Sequence, residues 1–217
     1  MSEQLSTTAY AVLGLLALRP LTPYEIAQQK QRSLDYCWPT SERSLYNQPE
    51  RLVDAGLARR IDQIETGAGR AARYAITDAG REALHDWLGT RSAMPRFQNE
   101  PMLRTLFADQ AGVEDLHRVA GELKAHIDER RRAGIEQMES YLTGEGLFQD
   151  RAHIVVLTGE LIRRLLNALD DWADLVTEVS ADWDTTAGIG LNNDIRAILE
   201  GFLADGAERI RHTEPGR

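Results

Sequence analysis

The apolar positions of this chain fall into two regimes. From Thr7 to Leu18, the residues Ala9, Val12, Leu13, Leu15 and Leu16 crowd one broad face at 100° per residue, the pattern of a buried helix. Arg19-Pro20 stops it, because the residue before a proline is pushed out of the α region. Thr22-Pro23-Tyr24-Glu25 then reads as a helix start, with Thr22 at the N-cap, Pro23 at the first helical position and Glu25 closing a capping box. That second helix is predicted to run to about Arg32. A third begins near Thr40 or Ser41 and ends at Gly56, with Pro49 well inside it. Residues Leu57 to Ile64 and Arg73 to Ile76 read as two strands joined by a turn at Gly67-Ala68-Gly69, and Thr77 caps a helix through Trp87. Helix, helix, helix, hairpin, helix is the order of a winged helix-turn-helix.

The stretch SAMPRFQNEPM (92–102) holds two prolines and little periodicity, so the domain boundary is placed there: a winged helix-turn-helix over 1–91 and a helical domain over 92–217. The second half carries long stripes. Gly112 to Leu142 has Leu116, Val119, Leu123, Ile127, Ile135 and Met138 at spacings of mostly three or four. Ala152 to Val179 has Ile154, Leu157, Leu161, Leu165, Leu169, Trp172 and Val176 on one face, and Asn192 to Ile210 supplies a third helix. Two or three helices cannot easily cover one another's stripes alone, so a coiled-coil-like domain that pairs with a second subunit is expected. The fold class is mostly α: three helices and a two-stranded wing, then this dimerisation domain.

Composition changes the picture in one respect. The net charge of −9 argues against a nucleic-acid partner, but it is unevenly spread. Residues 1–90 hold 10 Lys/Arg against 11 Asp/Glu, and residues 91–217 hold 15 against 23. The first half is therefore free to carry a local basic face, and DNA affinity depends on which charges meet phosphate. No run of apolar residues approaches a membrane span, and MSEQLSTTAY lacks the pattern of a signal peptide. With Cys37 the sole cysteine, no intrachain disulfide forms and a cytoplasmic setting is expected.

On the third helix Leu45, Pro49 and Leu52 fall together, as they would facing a core. Arg43, Asn47 and Glu50 lie opposite, with Thr40, Ser44 and Arg51 along one edge and Tyr46 along the other. Arg is the usual bidentate reader of guanine and Asn of adenine, and recognition helices present their N-terminal residues to the base edges. The candidate DNA-binding residues are therefore Thr40, Ser41, Arg43, Ser44, Tyr46, Asn47 and Arg51. An isolated helix with such a face is ordinarily just solvated; the surrounding helix-turn-helix and wing are what point to DNA. The wing adds Arg70 and Arg73 in a small, glycine-rich, cationic loop suited to phosphate. Pro49 is expected to bend the helix between its reading end and its scaffold end.

The segments Tyr10-Ala11-Val12-Leu13-Gly14-Leu15-Leu16, Leu21-Thr22-Pro23-Tyr24-Glu25-Ile26, Trp38-Pro39, Leu45-Tyr46, Arg51-Leu52-Val53-Asp54-Ala55-Gly56-Leu57 and the run from Gly69 to Gly80 resemble the PadR family of bacterial transcriptional regulators. The second half is similar, in helical pattern, to the virulence-regulator-like C-terminal domain of the longer members. The resemblance implies a homodimer binding a palindromic double-stranded operator, commonly as a repressor, and in some members a small molecule relieves binding. Three positions depart from the common pattern. A Tyr-Pro-x-Leu arrangement becomes Tyr46-Asn47-Gln48-Pro49, a frequent basic residue before Arg51 is Glu50, and a His-Gly becomes Thr22-Pro23.

No catalytic constellation appears. His85, His117, His126, His153 and His212 show no metal-ligand spacing, and Asp170, Asp171 and Glu178 read as a solvated acidic run, so neither a metal nor a cofactor is expected. Cys37 is expected to be half-buried and structural. Trp87, Tyr141, Trp172 and Trp183 are candidates to line a site for a small aromatic or apolar effector, with Phe148 nearby in sequence, although such aromatics are equally ordinary core residues. The resulting expectation is a cytoplasmic, nucleoid-associated DNA-binding regulator and not an enzyme. The alternative is a winged-helix module that binds protein and not DNA.

Overall fold

The computed structural model describes residues 5–29, 37–66 and 69–213, with the backbone alone for 62–66, 69–71 and 213. It divides into two compact units, Met1–Pro95 and Arg96–Arg217, where the sequence places the boundary at 91/92.

In the first unit, α1 spans Thr7–Leu18 and is capped by Ser6, whose side chain accepts the Ala9 N–H at 3.2 Å. The helix α2, Pro23–Gln29, starts at the capping box read from the sequence: Thr22 Oγ1 accepts the Glu25 N–H at 3.2 Å, and Glu25 Oε2 accepts the Thr22 N–H at 2.8 Å. Arg19 closes on the same carboxylate at 2.9 Å. The expected continuation of α2 to Arg32 falls outside the described residues. The helix α3, Glu42–Asp54, starts from Ser41 and runs unbroken through Pro49. It ends in a Schellman motif: Leu57 N–H donates to the Leu52 carbonyl at 2.8 Å, Gly56 N–H to Val53 at 2.9 Å, and Gly56 adopts φ +74°.

Strands β1, Ala58–Thr66, and β2, Gly69–Ile76, pair antiparallel, longer than the sequence pattern predicts. Between Arg60, opposite Tyr74, and Asp62, opposite Arg73, Ile61 is one residue too many and forms a bulge. Leu21 adds a single bridge to β2 at Tyr74. Thr77 caps α4, Asp78–Leu88, by accepting the Gly80 N–H at 3.1 Å. The elements close over one core, in which Val12, Leu13 and Leu16 of α1 meet Leu21, Ile26, Leu45, Leu52, Tyr74 and Ile76. Trp38 secures the approach to α3, its indole N–H donating to Thr8 Oγ1 at 3.0 Å.

The second unit holds α5 (Glu100–Leu106), α6 (Val113–Leu142), α7 (Ala152–Val179) and α8 (Asn193–Thr213). The first of these begins inside the stretch 92–102, which shows little periodicity, and runs past its end; Asn99 caps it by accepting the Met102 N–H at 3.0 Å. Helices α6 and α7 run antiparallel: His117 meets Ser180, Lys124 meets Asp170 and Asp174, and Arg131 meets Asp170. Between them Ala120, Leu123, Ile127 and Ala173 are buried, with Leu166, Leu169, Trp172 and Val176 packed against them. Leu116 and Val119 are buried as well, whereas other positions of the predicted stripes stay open. Ile135, Ile154, Leu157 and Leu161 are exposed, and no described residue of α8 is buried.

Candidate nucleic-acid interface

The face of α3 away from the core is set by which residues the core takes. Leu45, Pro49 and Leu52 are buried, as the helical spacing predicts. Arg43, Tyr46, Asn47 and Arg51 are then exposed by rotation, and Thr40 and Ser44 are half-exposed. Ser41 caps this positive helix end by accepting the Ser44 N–H at 3.2 Å. Ser41, Arg43, Ser44, Asn47, Gln48 and Arg51 line one shallow hollow of about 240 Å³. Two cations, two carboxamides and two hydroxyls thus converge on a single open surface, the donor and acceptor set that reads base edges and grips phosphate. Gln48 was not singled out from the sequence. It lies on the core side of the helix and is buried, yet it forms the hollow's inner wall.

Glu50 is where the helical wheel and the structure part. The wheel sends it to solvent with Arg43; instead its carboxylate turns toward the strands. Arg60 donates to both its oxygens, at 3.2 Å from Nε, and the Tyr74 hydroxyl donates to Oε1. The Arg60 hydrogen bond, then that of Tyr74, hold the Glu50 carboxyl below the ordinary carboxylate range against a smaller desolvation. Burial, and next the hydrogen bond to Glu50, push the Tyr74 phenol up. Because the folded-state value of Glu50 lies below the unfolded one, its contribution is complete above the unfolded value and fades as pH falls through the lowered one. Wild type is therefore expected to melt above Glu50→Gln at pH 7, with the gap in Tm narrowing toward pH 3. A gap constant across that range would contradict the linkage.

The two wing arginines are placed differently. Arg70 lies in β2 opposite Glu65; its side chain, and residues 67–68 where the sequence predicts the turn, lie outside the described residues. Arg73 folds back: Nη2 donates to the Pro20 carbonyl at 3.2 Å, and Nε is buried without a partner. Its guanidinium secures the base of the wing in the free chain.

The candidate effector aromatics of the second unit sit at separate places. Trp87 belongs to the first unit and stacks on Tyr10, centroids 4.8 Å apart and planes 7° off parallel. In the second unit Tyr141 bonds the Leu147 carbonyl, whereas Trp172 packs on the cluster around Ile127. Tyr141 and Ile127 are separated along α6 by roughly 21 Å at 1.5 Å per residue. Trp183 lines another hollow, of about 560 Å³, with Glu178, Val179, Asp182, Asn192, Asp194 and Ala197. Cys37, expected half-buried, is exposed, yet surrounding protein atoms desolvate its thiol and raise it above the usual range, opposed by a smaller backbone hydrogen bond. That is the reverse of the activated thiolate a redox switch requires. Among the described residues no group of three or more His, Cys, Asp or Glu is placed to hold a metal, and no helix is long and apolar enough to cross a membrane.

Comparison with known proteins places these features in a family context. Residues 12–86 match the Transcriptional regulator PadR-like family. The Negative transcriptional regulator PadR of Bacillus subtilis (strain 168) is 30% identical over 99 residues, 45% of this chain and 54% of that protein; the match thus spans about half that relative's length. The fold resembles that of Bacillus subtilis PadR in complex with operator DNA, with a TM-score of 0.66 and 20% identity over 82% of this chain and 99% of that one. It also resembles the same regulator in complex with p-coumaric acid, with a TM-score of 0.60 and 18% identity over 82% and 100% of the two chains.

Proposed function

We propose, from the premise that residues 12–86 of this chain form a PadR-like domain, that the protein is a sequence-specific DNA-binding transcriptional regulator, a repressor acting as a homodimer on a palindromic operator. The observation that carries this reading is the hollow on α3, where Arg43, Asn47 and Arg51 gather with Ser41 and Ser44 on the open side of the helix. In this reading α3 enters the major groove, Arg43 and Asn47 contact base edges, and Thr40, Ser41, Ser44, Tyr46 and Arg51 fix the helix on the backbone. Arg70 meets flanking phosphate from the wing, while Arg73 keeps the wing's base in place. The protein works in the cytoplasm, at the chromosome, and performs no catalytic step.

Homodimerisation is supported by the apolar surface that a single chain leaves open. Ile154, Leu157 and Leu161 on α7 and Phe202, Leu203 and Ile210 on α8 are exposed, and large apolar residues left open on each helix mark an interaction surface. Two heads joined this way would read half-sites about one helical turn apart, or a multiple of it. Relief by a small aromatic or apolar effector belongs to the same reading, with Trp183 the candidate that lines a hollow of its own.

Selection of bound sequences from a random DNA pool, followed by salt titration on the selected duplex, tests the proposal. Arg43→Ala is expected to cost about 1–3 kcal/mol on the selected sequence and to relax preference at one base pair. Arg70→Ala is expected to weaken all duplexes alike and reduce the salt slope by about one. Binding to the recovered pool no tighter than to random DNA would end the reading.

A further inference from the structure

Three pieces of the first unit meet at Tyr74. Its N–H donates to the Leu21 carbonyl at 2.9 Å, and its carbonyl accepts the Leu21 N–H at 3.0 Å, tying β2 to the residue just before the α2 cap. The residue is 3% exposed, and its hydroxyl donates to Glu50 on α3. Arg60, directly across the ladder from Tyr74, donates to the same carboxylate. Residues opposed in this way project from the same side of a hairpin. One carboxylate on α3 therefore collects a donor from each strand. The Ile61 bulge follows immediately, pinning the register at that level.

For a surface meant to face phosphate, Glu50 is an unfavourable choice on charge alone. It places a negative group on the reading helix and occupies the guanidinium of Arg60, whose side chain is otherwise 61% exposed. A neutral or basic residue would attract DNA more strongly and leave Arg60 to a phosphate. What Glu50 supplies in exchange is geometry. Tyr74 cannot swing away without leaving the core, and its backbone is held by Leu21, so the carboxylate fixes α3 against both strands.

We infer that Glu50 is a positioning residue that locks the β1–β2 wing to α3 through Arg60 and Tyr74, so that base-reading and phosphate-gripping elements meet DNA as one piece and non-specific attraction is exchanged for sequence discrimination. The inference rests on the DNA-binding reading above. Its test uses the full chain: wild type, Glu50→Ala, Glu50→Gln, and the exchange of Glu50→Arg with Arg60→Glu. Each is titrated on a duplex from the selected pool and on a random duplex of equal length, with amide hydrogen exchange followed in parallel without DNA.

In Glu50→Ala the ratio of selected to random affinity is expected to fall about tenfold, the scale of lost hydrogen bonds to a charged group. Affinity for random DNA is held or raised, and its salt slope steepens by about one as Arg60 becomes available to a phosphate. Amides of β1 and β2 exchange faster while those of α1 do not. Glu50→Gln, which keeps one acceptor oxygen, retains part of the ratio, and the charge exchange restores most of it. An unchanged ratio with unchanged strand exchange overturns the inference. So does an equal fall in both affinities with faster exchange throughout the first unit, which is plain destabilisation. If wild type itself discriminates no sequence, the DNA-binding reading fails, and strand exchange alone decides: faster in Glu50→Ala keeps the lock, unchanged removes it.

Discussion

Gly80→Ala is expected to destabilise the first unit by about 3 kcal/mol, the upper end of overpacking costs, although alanine is the better helix former. A Cβ at this position would lie 2.1 Å from the Leu57 carbonyl oxygen, 2.8 Å from Ile76 Cγ1 and 3.0 Å from the Leu57 carbonyl carbon. The nearest obstacle is backbone, and it is held. Leu57 O accepts the Thr77 N–H at 3.0 Å, Leu57 N–H is tied to Leu52 O at 2.8 Å, and Thr77 Oγ1 donates to Gly56 O at 2.8 Å. Relief therefore requires α4 to lift from the hairpin, which strips the Thr77 cap and opens the contact between α1 and α4. For a unit of 60–100 residues roughly 4–8 °C of Tm accompanies each kcal/mol, so the fall should exceed about 10 °C. Gly121→Ala on α6 is the control, since nothing lies within 4 Å of its added Cβ. It should melt at or slightly above wild type, and equal melting of the two variants would show that the Leu57 contact imposes no constraint.

What was legible in the sequence is what a few neighbouring residues decide among themselves. The end of α1 at Arg19-Pro20, the Thr22–Glu25 box, the Gly56 C-cap and the Thr77 cap each close within about one helical turn, and the structure shows each of them. The buried side of α3 followed from spacing alone. The prolines of 92–102 look like breakers in the sequence, although Asn99-Glu100-Pro101 is itself a helix start, with a cap and proline in the first turn. Contacts across long separations were not legible. Glu50 is drawn inward by Arg60 and Tyr74, Arg73 by Pro20, and neither partner is announced by local pattern. The same limit separates the effector aromatics: Tyr141 and Trp172 each lie on an apolar helical stripe, but their positions along α6 and α7 keep them apart. Apolar stripes on α7 and α8 state that something covers them without stating what.

Leu45→Ala should lower the stability of the first unit by about 4 kcal/mol, within the 2–5 kcal/mol range for deleting a buried leucine side chain. Leu45 has no exposed surface, and its neighbours on that face, Pro49 and Leu52, are buried with it. Pro49 has a fixed φ and cannot easily follow a collapsing cavity, which argues for the upper half of the range. The adjacent turn is also short of one backbone bond, because Pro49 offers no N–H to the Leu45 carbonyl. Chemical denaturation of the full chain, followed by far-ultraviolet circular dichroism, measures the loss as a lower midpoint of the first unit's transition. Arg43→Ala, two residues away on the exposed side, should change that stability by no more than about 0.5 kcal/mol, as surface substitutions do. The contrast matters for the functional reading because both residues stand on one helix. The core holds Leu45, Pro49 and Leu52, and by rotation that hold alone directs Arg43, Asn47 and Arg51 outward; weakening it should therefore impair binding to every duplex together, whereas Arg43→Ala should redistribute preference among duplexes at unchanged stability. If the two variants lost the same stability, the division of α3 into a scaffold face and a reading face would fail, and with it the assignment of the hollow as the base-reading surface.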